Sequence, residues 1–298
     1  MISQASMVNE FIYNIGQLQT SLATSEQQLA SGNSVNQPSD NPVAAAQIVS
    51  LNTLLSQNAT YAQNTQNGIS ILQASTQTIG SALTLMQSAQ QIAVQGQNST
   101  LTSQDMSAMA DQVNALLEQM LTTANQQYSN TYLFSGTQTA APFVATRDAQ
   151  GLIQSVTYTG DTGVLQRTYG PSQTIPISLP GSQVFQGSTD MFAALVSLRN
   201  DLQAGNQTNI ATDLTSLGQG MAQLTNADSS LGADLQRLQL SQSALQSYGQ
   251  YLQTQLASTQ SANIPAVTLQ FSEQQASLQA ALQAGSKIMQ TTLLNYLG

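Results

Sequence analysis

The sequence predicts a mainly α-helical chain with a small β insertion, arranged as an elongated antiparallel coiled-coil rod whose terminal helices pair. Three observations predict it: long runs of apolar residues in alternating steps of three and four, a central stretch rich in β-branched residues and turn signals, and an amphipathic stripe at each end.

Taken in order, the first element is a helix whose seam is Val8, Phe11, Ile15, Leu18, Leu22, Ser25 and Leu29. It ends in a sharply punctuated corner, LASGNSVNQPSDNPVAAA, Leu29 to Ala46. Gly32 suits the left-handed residue that closes a last helical turn. Pro38 keeps Gln37 out of the α region, so the two flanking helices cannot merge. Asn41 is a good N-cap and Pro42 fits the first position of the next helix. With Ser39 and Asp40 between the prolines, the segment reads as a rigid elbow.

A long heptad run follows, through Ile48, Leu51, Leu55, Asn58, Ala62, Thr65, Ile69, Leu72, Thr76, Ile79, Leu83, Met86, Gln90 and Ala93. After the polar break QGQNSTLTSQD, with Thr102 or Ser103 as a cap, comes a third run from Met106 to Met120. From Tyr132 to about Gln186 the character changes. LIQSVTY alternates like a half-buried strand, GDTG reads as a hairpin turn, and RDAQG, TYGPSQ and TIPISLPG are further turn signals. A short helix near Met191 to Leu202 precedes the break at Gly205.

The second long run steps through Ile210, Leu214, Leu217, Met221, Leu224, Asp228, Leu231, Leu235, Leu238, Gln242, Leu245, Gly249, Leu252 and Leu256. At 1.5 Å per residue such a helix reaches about 70 Å, and a strict 3.5-residue repeat of that length calls for a partner helix. The first run supplies one. Asn263 and Pro265 start the last helix, whose stripe is Phe271, Leu278, Leu282, Gly285, Met289, Leu293 and Tyr296, with Leu297 beside it. The implied organisation is terminal helices at 1–41 and 257–298, a helical rod at 42–131 and 188–256, and a small β domain at 132–187.

Composition removes whole classes of function. There are no cysteines and no histidines, so no thiolate nucleophile and no imidazole base exist, and the usual metal ligands are missing. No catalytic, cofactor or metal site is expected. Charged residues are only 6% of the chain, the formal charge is −9, and no Lys or Arg precedes Arg147, which argues against nucleic acid as a partner. No apolar run is long enough to span a membrane, and the N-terminus lacks the pattern of a cleaved signal. So few ionisable groups also predict tolerance of acid, well below pH 4.

Ser31-Gly32 and Pro38-Ser39-Asp40-Asn41-Pro42-Val43, followed by Ala44 to Ala46, resemble the N-terminal signature of the flagellar hook-filament junction family, the third hook-associated proteins of the flagellin superfamily. Asn41 stands where that family usually has a second aspartate. Asn130-Thr131-Tyr132-Leu133-Phe134-Ser135-Gly136 is similar to the family's exit into its β domain, and Leu278 through Leu297 is similar to its C-terminus.

The resemblance implies a structural, non-enzymatic protein of the extracellular flagellum, exported by flagellar type III secretion without a cleaved signal peptide. It implies as partners identical subunits in a ring, the first hook-associated protein, flagellin, and a cytosolic export chaperone on the C-terminal helix. Neither nucleic acid nor membrane is among them. The terminal stripes, Val8 to Leu29 and Phe271 to Leu297, would then be assembly surfaces that gain order on incorporation. Two alternatives share parts of this pattern: a flagellin filament subunit, and a type III needle-tip or translocator-like coiled-coil protein.

Overall fold

The computed structural model describes the backbone of residues 4–297 and the side chains of residues 6–287. Seven helices are described: α1 (Gln4–Ser31), α2 (Pro42–Gly96), α3 (Ser103–Ala124), α4 (Gly181–Phe185), α5 (Met191–Ala204), α6 (Gln207–Gln260) and α7 (Ile264–Leu297). Six short strands lie between α3 and α4 and form three two-stranded antiparallel hairpins. The chain is mainly α with small antiparallel sheets. Two compact units are present, one of residues 1–57 and 248–298, the other of residues 58–247, so the divisions fall inside α2 and α6.

In the larger unit α2 and α6 run antiparallel in constant register. Asn58 Nδ2 donates to the Leu245 carbonyl at 3.0 Å, Gly68 lies against Leu238, Gly220 against Met86, and Gly96 against Ile210. Within this unit the buried residues of α6 are Ile210, Asp213, Leu217, Gly220, Leu224, Ala227, Leu231 and Leu238. One track of the expected seam, 210–217–224–231–238, is therefore correct, and the other is displaced by one residue. Leu214 and Met221 are only half-buried and Asp228 is exposed, while Asp213, Gly220 and Ala227 take the inner positions.

The same displacement occurs on α2, where Ser75, Ala82 and Ala89 are buried and Thr76, Leu83 and Gln90 flank them. The reason is steric. Carried in steps of seven from Gly68 and Leu238, the register sets Ser75, Ala82 and Ala89 opposite Leu231, Leu224 and Leu217. Each small residue leaves room for a large one, and a Cβ on Gly220 would meet Met86 Cε at 2.9 Å.

Helix α3 packs against α5. Thr102 caps α3 in a reciprocal box: its hydroxyl accepts the Asp105 N–H at 3.2 Å, and the Asp105 carboxylate accepts the Thr102 N–H at 3.0 Å. Asp190 caps α5 through the N–H groups of Phe192 and Ala193, at 2.9 and 3.0 Å. Gly205, at φ +67°, ends α5 where the sequence expects a break.

Strands β1 (Gln127–Tyr128) and β2 (Thr131–Tyr132) turn through Ser129 and Asn130, both at positive φ. β3 (Phe143–Arg147) pairs with β4 (Ile153–Tyr158), and β5 (Gln166–Gly170) with β6 (Gln173–Pro176). GDTG is therefore not a hairpin turn, because the strands on either side of it do not pair with each other. The turns of these two hairpins fall at RDAQG and GPSQ instead. The GDTG loop is organised by Asp161, whose carboxylate accepts the Thr137 N–H at 2.7 Å, the Gly163 N–H at 3.0 Å and the Thr137 hydroxyl. The hydroxyl and N–H bonds from Thr137 hold that carboxyl down at about 2.

Phe134, Phe143, Phe185 and Phe192 meet at centroid separations of 5.2 to 6.2 Å and fasten the hairpins to α4 and α5. Arg199 is buried beside them and donates to the Ile153 carbonyl at 2.7 Å and to Asn114 Oδ1 at 3.2 Å. Its charge thus serves to satisfy backbone and amide acceptors. Arg147 and Glu118 pair at the surface, which holds the Glu118 carboxyl below its usual range.

Candidate functional site

In the smaller unit α1 and α7 lie antiparallel. Ser25 Oγ donates to Gln274 Oε1 at 2.9 Å, and Phe11 packs on Gly285, where a Cβ would collide with its ring. Val8, Phe11, Ile15, Leu18, Leu22 and Leu29 are all half-buried on the side of α1 that faces α7, and Ser25 is buried among them. The chain's first seam was thus legible as a stripe.

On α7 the inner positions are Val267, Phe271, Gln274, Leu278, Ala281 and Gly285. Phe271 and Leu278 lie where the sequence expects them, but Leu282 does not: it is 52% exposed, and Ala281 takes the seam position. One residue is about 100° around a helix, so Leu282 points away from α1. Val267 and Gln274 were missed, the first because it precedes the expected stripe and the second because it is polar. The side chains of Met289, Leu293, Tyr296 and Leu297 lie outside the described residues.

The elbow takes the form its turn chemistry predicts. Gly32 has φ +73° and its N–H donates to the Gln28 carbonyl at 2.9 Å. Pro42 opens α2, and Asn41 Oδ1 accepts the Ala44 N–H at 3.1 Å. Asp40 accepts the N–H groups of Asn36 and Gln37, both at 3.0 Å, which closes the turn around Pro38 and Ser39 and lowers the carboxyl below its usual range.

Sequence reasoning did not find the elbow's partner, the short connection between α6 and α7. The Ser34 N–H donates to the Gln260 carbonyl at 2.7 Å, the Ala262 N–H donates to the Gly32 carbonyl at 2.9 Å, and Asn33 bridges Ser261 as a single antiparallel pair. Two corners more than two hundred residues apart are laced by main-chain bonds. The Ser34 hydroxyl adds a bond to the same Gln260 carbonyl at 3.1 Å, but a main-chain pairing leaves no periodic side-chain pattern by which the sequence would reveal it.

Outside the seam this unit keeps large apolar side chains in water. Met7, Ile12 and Tyr13 on α1, Val43, Val49 and Leu54 on α2, Tyr248 and Tyr251 on α6, and Ile264, Leu269 and Leu282 on α7 are all exposed. Val43 reaches 72%, Tyr13 66% and Leu269 62%. Among the described residues no group of three or more His, Cys, Asp or Glu could hold a metal, and no helix is long and apolar enough to cross a membrane.

Residues 2–139 match the family described as the bacterial flagellin N-terminal helical region. Flagellar hook-associated protein 3 of Salmonella typhimurium is 31% identical over 55% of this chain and 50% of its own length. The Escherichia coli protein of the same name is 27% identical over the same shares. The chain thus spans about half the length of the curated relatives it matches. Among solved structures, a putative flagellar hook-associated protein from Vibrio parahaemolyticus superposes with a TM-score of 0.67 at 20% identity, over 74% of this chain and all of that one. The flagellar hook associated protein-3 of Legionella pneumophila gives 0.63 at 16%, over 71% and 98%. The fold is one shared with these proteins.

Proposed function

We propose, from the premise that residues 2–139 form a flagellin-type N-terminal region, that this chain is a structural subunit of the bacterial flagellum at the junction between hook and filament. The observation that carries the reading is the terminal unit itself. Its paired helices α1 and α7 bury one narrow seam and leave Met7, Ile12, Tyr13, Leu269 and Leu282 in water. Neighbouring subunits are the natural cover for such a surface, and the two curated relatives are both named hook-associated proteins.

In this reading Val8, Phe11, Ile15, Leu18, Leu22 and Leu29 set the α1 side of the assembly core. Phe271, Leu278, Leu282, Met289, Leu293, Tyr296 and Leu297 form the other side, and in the cytoplasm they offer a chaperone its grip. The elbow from Gly32 to Pro42 fixes the angle at which α1 leaves α2. Identical subunits form a ring with the first hook-associated protein on one side and flagellin on the other. The protein reaches that place by flagellar type III export and performs no catalysis. Segments 1–41 and 257–298 gain much of their order on incorporation, where the ordering entropy is offset by apolar burial.

Deleting the gene tests the assignment. A junction role requires that hooks persist while flagellin escapes into the medium. Filaments that remain attached would overturn it, and loss of the filament's own mass would make the chain a flagellin. For the coupled ordering, trimming about thirty residues from each end of the monomer should remove little helical circular dichroism signal. A loss matching two fully folded helices would refute that part alone.

A further inference from the structure

The larger unit contains a buried acid that its assembly role does not use. Asp213 occupies an inner position of α6, is 4% exposed, and its Oδ2 has no hydrogen-bond partner among the described residues. Facing it from α5 are Ser197 and Asp201. Asp201 is already held in place: its Oδ1 accepts Asn209 Nδ2 at 2.9 Å, its Oδ2 is 3.4 Å from the Ser197 hydroxyl, and its carbonyl accepts the N–H groups of Gly205 and Asn206. An ionised carboxylate with an empty oxygen in a helix seam is unfavourable, and a second carboxylate beside it compounds that.

Among the described residues no basic side chain is placed against the pair. Helix α2 carries no acidic or basic side chain at all. Of the acids on α3, Asp105 is committed to Thr102, Glu118 to Arg147, and Asp111 is exposed. On α5 itself Arg199 is engaged with Asn114, Asn200 and Ile153. On α6 the next charged groups, Asp228, Asp234 and Arg237, are four or more turns away. A calcium ion takes six to eight oxygens, and here both oxygens of Asp201 already accept hydrogen bonds, from Asn209 and Ser197. A proton needs only the one empty oxygen.

We propose that Asp213, packed against Asp201, is a proton-holding latch between α6 and α5: a proton on the Asp213 carboxyl satisfies its empty oxygen, and mild acid therefore tightens the larger unit. Burial pushes the Asp213 carboxyl up to about 6, with the like charge of Asp201 adding to it and a hydrogen bond from Ser197 opposing it. The sign follows from linkage. A carboxyl whose folded value lies above its unfolded one near 4 binds more protons when folded, so stability rises as pH falls from about 7 through 6 towards 4. Asp234, also raised by its burial, adds in the same direction, so the decisive quantity is the difference between the wild type and an Asp213 variant.

Urea unfolding of the full chain from pH 7 to pH 5 provides the test. The wild-type folding constant should rise by about tenfold across that range. Asp213→Asn, a neutral isostere, should be more stable than wild type at pH 7 and lose most of the slope. Asp201→Asn should lower the Asp213 midpoint, read directly from carboxyl carbon-13 titration. Equal slopes in wild type and Asp213→Asn would overturn the proposal, as would an Asp213 midpoint at or below 4. Stabilisation of the wild type, but not of Asp213→Asn, by millimolar calcium at pH 7 would replace the proton with a cation and overturn it too.

Discussion

The two units are made of similar helices and solve opposite problems. Among the described residues, the larger unit encloses an almost continuous core from Ile69 to Leu238, with Phe134, Phe185 and Phe192 at zero exposure. Among its described residues the terminal unit buries only Ala44, Leu252 and Val267 of the apolar ones, and it contributes eleven of the sixteen large apolar side chains found exposed. In the proposed reading, a chain that can build the first kind of core and stops short of it at its ends leaves the remaining cover to neighbouring subunits. The difference lies in how deeply the seams are covered, since both units use the same heptad spacing.

The strongest blow to that contrast falls on the larger core. Phe185→Ala should cost about 3–5 kcal/mol in urea unfolding, because its neighbours Phe134 and Phe143 cannot collapse into the space. Next comes the packing track. Gly220→Leu should cost about 1–3 kcal/mol by driving into Met86 and Met191, whereas Met221→Leu one residue along should cost under about 1.5. In the terminal unit Gly285→Leu should displace Phe11 and speed amide exchange along α1 and α7 while leaving α3 and α5 protected. The smallest folding effect belongs to Leu269→Ser with Leu282→Ser. Their removal should change monomer stability by no more than about 0.5 kcal/mol, yet weaken self-association in sedimentation.

Acid sharpens the comparison from another side. Asp161, Asp40 and Asp105 are all held below their usual range by hydrogen bonds to their charged forms. Such groups contribute stability that is present above about 4 and is lost as pH falls through their folded values, towards 2 for Asp161. Asp161 and Asp105 lie in the larger unit, so, set against the gain from Asp213 between 7 and 4, its stability should pass through a maximum at roughly pH 4–5 and decline below it. The acid tolerance expected from low charge alone therefore has a lower edge, which a pH series of thermal midpoints would locate.

The helices, their caps and the elbow were legible because each rests on local chemistry. Gly32, Asn41, Pro42, Thr102 and Gly205 do what their residue types do anywhere. The depth of each position around a helix was less legible. Choosing the largest apolar residue at every step selected Leu214, Met221, Leu83 and Leu282, while the structure places Asp213, Gly220, Ala82 and Ala281 inward. Size indicates what a residue gains by burial, but close helix approach is decided by what the opposite helix needs room for. The GDTG misreading has the same origin: turn residues announce a turn without saying which strands it joins. The tie between Ser34 and Gln260 rests on a main-chain bond to which the Ser34 hydroxyl adds a second at 3.1 Å, and a lone serine in a polar turn does not announce so distant a partner.

The absence of acidic and basic side chains from all 55 residues of α2 also determines how the protein responds to ionic strength. Dissolved salt loosens helix pairs by screening attraction between opposite charges, over a Debye length of about 8 Å at physiological concentration. Where one helix offers no such charge, screening has nothing to weaken. The joint between α2 and α6 should hold alike in dilute medium and in brine.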